Sequence, residues 1–196
     1  MVLSLFPGGL NSELAGFWGA QTIAALAVVA SLRVYEQRPR GWLARASALE
    51  VGQSRVPGGG RGVFVTEGLP AGTVLGTYPG RLVPPGPYTR KLQVAPRTSN
   101  YCWTLGGDRG ALDPTDASGI LCEPLPLFES LPGFQLLAVD TTLALINEPC
   151  AGFDVNVKTE ETDEDVYFIT ERDVRVGEEL FLDYGQKYDR SGYGAS

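Results

Sequence analysis

Toward its C-terminal end the chain reads Thr170-Glu171-Arg172-Asp173-Val174-Arg175-Val176-Gly177-Glu178-Glu179-Leu180-Phe181-Leu182-Asp183-Tyr184-Gly185. Val176 to Glu179 carries turn chemistry, because Gly177 accepts a positive φ at no steric cost. Residues 180–183 read as a short apolar strand that Tyr184-Gly185 ends. Upstream, residues 155–158 and 166–170 read as the two strands of a hairpin. The acidic run 160–165 lies between them. It reads as a solvated hairpin tip or as a surface that steers a basic partner.

The same pattern of short apolar runs punctuated by Gly and Pro extends back to about residue 48. Residues 49–51, 62–66, 73–78 and 101–105 read as strands, and 69–72 as a turn. Residues 79–96 hold so many prolines and glycines that they read as an irregular excursion. Residues 120–139 read as an inserted loop, and 141–146 as a short helix or turn. The whole chain has 196 residues, with 25 glycines and 14 prolines, against an average usage of ~12% for these two types together. Many short elements are expected, in a mostly β fold rather than a helical bundle.

Histidine is absent. That excludes Ser-His-Asp and Cys-His triads, histidine zinc sites and a histidine general base. Cys102, Cys122 and Cys150 form no Cys-x-x-Cys pair, so no metal site or disulfide framework is expected, and a reducing intracellular compartment is the simpler setting. The formal net charge is −7. Phosphate-gripping nucleic-acid proteins carry basic patches. Direct nucleic-acid binding is therefore not expected, whereas a cationic partner suits the sign.

Two further motifs precede the first. Gly60-Arg61-Gly62-Val63-Phe64-Val65-Thr66-Glu67-Gly68-Leu69-Pro70-Ala71-Gly72-Thr73 opens with two residues lacking Cβ, which lets backbone approach a ligand closely. Leu145-Ile146-Asn147-Glu148-Pro149-Cys150 is followed by Asn156-Val157, and Asn147 offers an amide with two donors and an acceptor. In this order and spacing the three motifs resemble the SET-domain protein lysine methyltransferases. Leu112-Asp113-Pro114-Thr115-Asp116-Ala117-Ser118-Gly119 is similar to a further segment of that family. The resemblance spans about residues 48–190. It implies several small β-sheets around a pseudoknot, and S-adenosyl-L-methionine as cofactor. It also implies a lysine-containing protein or peptide, histone or not, as substrate.

The resemblance also implies roles for residues. Gly60, Arg61, Gly62, Asn147, Glu148 and Tyr184 would contact the cofactor. Tyr184 would be the catalytic tyrosine, with Tyr101 a second active-site tyrosine. Leu182 would line the substrate channel where the family usually has Phe or Tyr. Tyr188 would cover the cofactor or channel, or else belong to a frayed end. Glu148 and Pro149 stand where the family has His and Ser. No Cys follows Cys150, so the family's three-cysteine zinc segment is missing from this sequence. These departures motivate an alternative reading, a catalytically weak or inactive SET-like module that binds peptides.

Residues 14–32 read Leu-Ala-Gly-Phe-Trp-Gly-Ala-Gln-Thr-Ile-Ala-Ala-Leu-Ala-Val-Val-Ala-Ser-Leu, without a charge. As a helix they approach the ~30 Å of a bilayer core. Arg33, Arg38 and Arg40 follow on the side expected to face the cytoplasm. Three readings stand: a membrane anchor, a helix packed on a partner, or a targeting segment. The expected organisation is an N-terminal hydrophobic helix and linker (1–47), a SET-like domain (48–190) and a tail (191–196).

Overall fold

A computed structural model of the chain describes residues 39–126, 138–163, 165–186 and 188. The expected helix at 14–32 lies outside them. Among the described residues no helix is long and apolar enough to cross a membrane.

Ten strands and one α-helix are described. The strands are β1 (Arg40–Leu43), β2 (Leu49–Gln53), β3 (Arg61–Val65), β4 (Val74–Val83), β5 (Trp103–Thr104), β6 (Ala111–Asp113), β7 (Leu125–Pro126), β8 (Ala138–Val139), β9 (Val157–Glu161) and β10 (Val166–Thr170). The helix, α1, is Pro85–Val94. Short 3₁₀ turns occupy Ala46–Ala48, Pro96–Asn100 and Thr142–Leu145. The largest sheet runs β5-β6-β4-β10-β9, with β1 also on β4; β2–β3 and β7–β8 form two smaller sheets. This is the mostly β fold of several small sheets that the sequence implied.

β4 organises the large sheet. Its first half pairs with β1 and β10, through Thr77 opposite Trp42 and Tyr167, and its second half pairs with β6, Arg81 opposite Asp113. The close approach of β1 requires Gly76, since a Cβ there would overlap the Trp42 carbonyl and sit 3.1 Å from Leu43 Cα. The core lies under this sheet and the β2–β3 hairpin. Val63, Val65, Leu75, Leu112, Val157, Val166, Phe168 and Leu180 are fully buried in it. Tyr78, Trp103 and Phe168 pack ring against ring at 5.6–5.7 Å. Burying a side chain such as Phe168 contributes about 1.5–3 kcal/mol.

Two expectations are corrected. Residues 79–96 are not irregular: β4 continues through Pro79 to Val83, and α1 follows at once. Pro79 is tolerated because the β10 pairing has ended at Thr77 and the β1 register is irregular there. Pro85 opens α1 where a missing N–H costs nothing. Residues 180–183 do not form an extended strand of a sheet. They make single parallel bridges, Phe181 to Asn147 and Leu182 to Val157. Asn156 N and Val157 N donate to Phe181 O, and Leu182 N donates to Asn147 O. The C-terminal segment thus lies between Asn147 and Val157, inside the loop that joins them, which is the crossing expected of the fold.

Candidate active site

The glycine motif sits at the start of β3. Ser54 N and Gln53 Nε2 both donate to Gly60 O, at 2.9 and 2.7 Å, and fix the turn in which Gly60 has φ +62°. Asn147 follows the 3₁₀ turn Thr142–Leu145. Its Nδ2 donates to Arg61 O at 2.8 Å, so the glycine turn and the Asn motif are joined directly. Gly62 packs where no side chain fits: a Cβ would lie 2.8 Å from Glu179 Cδ and 3.3 Å from Asn147 Nδ2. On the other side of the turn, a Cβ at Gly60 would meet nothing within 4 Å. The turn therefore presents open backbone on one side and is braced by packing on the other.

The brace is Glu179, which the sequence reading did not single out. It is 1% exposed. Its carboxylate accepts from Ser54 Oγ at 2.6 Å, from Arg55 N at 2.7 Å and from Asn147 Nδ2 at 3.5 Å. Its own carbonyl accepts from Asn156 Nδ2 at 2.8 Å, while Asn156 Oδ1 accepts from Phe181 N at 2.8 Å. The neighbouring Glu178 turns outward to Arg172, at 2.9 Å. Nothing in a Glu-Glu pair says which member is buried, so the available signal was the surplus of polar residues around the turn.

Tyr184 is half-buried. Its hydroxyl donates to Ile146 O at 2.7 Å, and its N–H donates to Glu148 Oε1 at 3.2 Å. The Tyr184 and Tyr188 rings meet edge-on, with centroids 4.7 Å apart. Leu182 is buried in the core cluster beside this segment. Tyr101 is held by its backbone, whose carbonyl accepts from the buried Tyr78 hydroxyl at 2.5 Å. Arg61 extends away from the turn and forms a two-pronged ion pair with Glu123, at 2.7 and 2.5 Å. That pairing raises the guanidinium pKa further, and the nearby Tyr101 adds to it.

The structure thus brings Gly60, Arg61, Gly62, Asn147, Glu148, Leu182 and Tyr184 into one connected constellation, with Tyr188 against Tyr184 and Tyr101 near Arg61. Glu179 and Glu123 are the additions. Cys102 lies beside Asp113 under α1, where burial and then Asp113 push its thiol well up. An open pocket of about 500 Å³ also lies on that side, lined by Arg81, Arg90, Lys91 and Asp113 among others. Among the described residues no group of His, Cys, Asp and Glu is arranged to hold a metal ion.

The chain carries the SET domain over residues 60–185 and belongs to the SET domain family, a family of protein lysine methyltransferases that use S-adenosyl-L-methionine. Solved structures of similar fold include the Chaetomium thermophilum Polycomb Repressive Complex 2 bound to GSK126 (22% identity, TM-score 0.52). A crystal structure of the same complex gives 21% identity and a TM-score of 0.50. Each match covers 72% of this chain and 16% of the other, so this chain aligns with only a small part of those proteins. No curated protein sequence matches this chain.

Proposed function

We propose that this protein transfers a methyl group from S-adenosyl-L-methionine to the side-chain amine of a lysine in a protein or peptide. The observation that carries this reading is the Tyr184 hydroxyl donating to Ile146 O, one residue from Asn147, whose amide holds the glycine turn.

The residues fit the cofactor. Backbone at Gly60 is open to a ligand, while Gly62, Asn147 and Glu179 brace the turn from behind. Gly60, Arg61, Gly62, Asn147 and the backbone of Glu148 would hold it, and it supplies an electrophilic methyl on a sulfonium. With its proton donated to Ile146 O, the Tyr184 phenol oxygen keeps acceptor character. Its lone pairs suit the polarised C–H bonds of a sulfonium methyl and the N–H of an incoming amine. The leaving thioether is neutral, so no acid is required, and a chain without histidine can do this chemistry. What remains is alignment in a narrow, dry channel, and alignment alone supplies several kcal/mol in such reactions. Tyr184, Tyr188 and Tyr101 would form its walls, and the lysine must enter deprotonated. The net charge of −7 favours a basic peptide.

The test is calorimetric titration of S-adenosyl-L-methionine into the full chain and into Tyr184→Phe, followed by labelled-methyl transfer to mixed lysine peptides. Both proteins should bind saturably, and Tyr184→Phe should transfer at least about 100-fold more slowly, in line with loss of one positioned polar group. A folded protein that binds no cofactor at millimolar concentration refutes the proposal. It would leave the peptide-binding module as the reading.

A further inference from the structure

Glu148 and Pro149 are the two positions at which the Asn motif departs from the family resemblance. They follow directly on the bridge at Asn147 that joins this motif to the C-terminal segment. Asn147 is bridged in parallel to Phe181, and Leu182 N donates to Asn147 O at 2.9 Å. In a parallel ladder the next residue to pair is two further on in each strand. Residue 149 would then donate its N–H to Leu182 O, and Tyr184 N–H would turn to residue 149. Pro149 has no N–H, so the first of these bonds cannot form. The N–H that would continue the ladder, that of Tyr184, donates to the Glu148 carboxylate at 3.2 Å.

We propose that Glu148 is a positioning residue for Tyr184, its carboxylate accepting the Tyr184 N–H where Pro149 ends the ladder. The two departures are one compensated change. With Tyr184 OH on Ile146 O and Leu182 N on Asn147 O, the Glu148 contact makes a third tie between residues 146–148 and 182–184. It fixes the backbone from which the phenol projects, whereas the phenol's own bond fixes only the ring's far end. A bond from N–H to carboxylate is stronger than one to a neutral carbonyl, which suits a side chain that takes the place of a backbone acceptor.

The consequence for catalysis rests on the methyltransferase reading, but the contact itself does not. Amide hydrogen exchange at Tyr184 in the full chain reads it directly. Glu148→Ala should speed exchange at Tyr184 by about 10-fold or more, as for the loss of one net hydrogen bond, while Leu182 stays protected. Glu148→Gln keeps an acceptor oxygen and should stay within about threefold of the parent. Adding Pro149→Ser to Glu148→Ala restores a backbone donor and should recover part of the protection. In methyl transfer, Glu148→Ala should lower kcat about 10-fold, with cofactor Kd changed less than about threefold. Tyr184 exchange unchanged in Glu148→Ala, or no recovery on adding Pro149→Ser, overturns the proposal. If the parent binds no cofactor, the methyltransferase reading fails, and the exchange results still decide the role of Glu148.

Discussion

Glu179 shows how much of a site can rest on a residue that touches no reactant. Its buried carboxylate takes Ser54 Oγ and Arg55 N, and comes within 3.5 Å of the amide of Asn147. Glu179→Gln keeps the shape but turns an NH2 group against one of those donors. An unmatched buried donor costs about 1–3 kcal/mol. At about 2–4 °C per kcal/mol for a chain of this size, the Tm should fall by roughly 2–12 °C. Because Asn147 also holds Arg61 O, cofactor affinity should fall as well, by about 5- to 150-fold where the same 1–3 kcal/mol falls on the site. Calorimetry with and without cofactor would read both; a lower Tm with unchanged affinity would confine Glu179 to stability. Asn147, Tyr184 and the Gly60–Gly62 turn were picked out in the sequence by the order and spacing of three motifs that resemble one family, and the structure ties the Asn motif to the glycine turn and to Tyr184. Glu179 and Glu123 were not. Carboxylates in Glu-Glu or next to proline look like surface residues until the backbone aims them inward or at Arg61.

Among the elements, α1 is the instructive departure from the sequence reading. Pro85, Gly86 and Pro87 look like a loop, yet the helix forms, and it buries none of its own residues. Polar ties dock it instead. Lys91 Nζ donates to Asp113 Oδ2 at 2.6 Å, to Thr115 Oγ1 at 2.9 Å and to Thr115 O at 3.1 Å. Sequence periodicity finds apolar stripes, so it had nothing to find here, whereas β3 and β10 announced themselves by their β-branched and aromatic residues. Tyr88 on α1 adds a pH dependence. Burial first, and then the neighbouring Cys102, raise its phenol from 10.0 to about 12. Below pH 10 both folded and unfolded chains keep the proton, and the contribution of this group is fully present. Between pH 10 and about 12 the unfolded chain ionises first, and stability is lost as pH rises. Tyr88→Phe should therefore show a smaller drop in Tm between pH 9 and pH 11.5 than the parent. Parallel curves for the two proteins would show that the Tyr88 phenol does not couple to folding.

For the whole molecule, the question is where the folded unit begins. The change in composition near residue 48 pointed to a start there, but backbone pairing reaches further back. β1 pairs with β4 from Arg40 to Leu43, and Ala44 N donates to Leu75 O at 2.7 Å. β1 was missed because Arg-Gly-Trp-Leu is too short to show alternation and its pairing partner lies more than thirty residues away. Removing it would open the β1 side of β4 at Gly76 and Thr77 and leave unpaired backbone groups on a largely buried strand. Unpaired sheet edges of this kind invite association between chains. A chain beginning at Arg38 should keep cooperative unfolding, with a Tm within about 3 °C of the full chain, a change of order 1 kcal/mol. A chain beginning at Ala48 should lose about 8 °C or more, equivalent to at least ~2 kcal/mol, and should self-associate in sedimentation. Equal Tm values for the two truncations would make β1 an accessory strand. A large loss already at Arg38 would instead show that the preceding residues contribute to the stability of the folded unit.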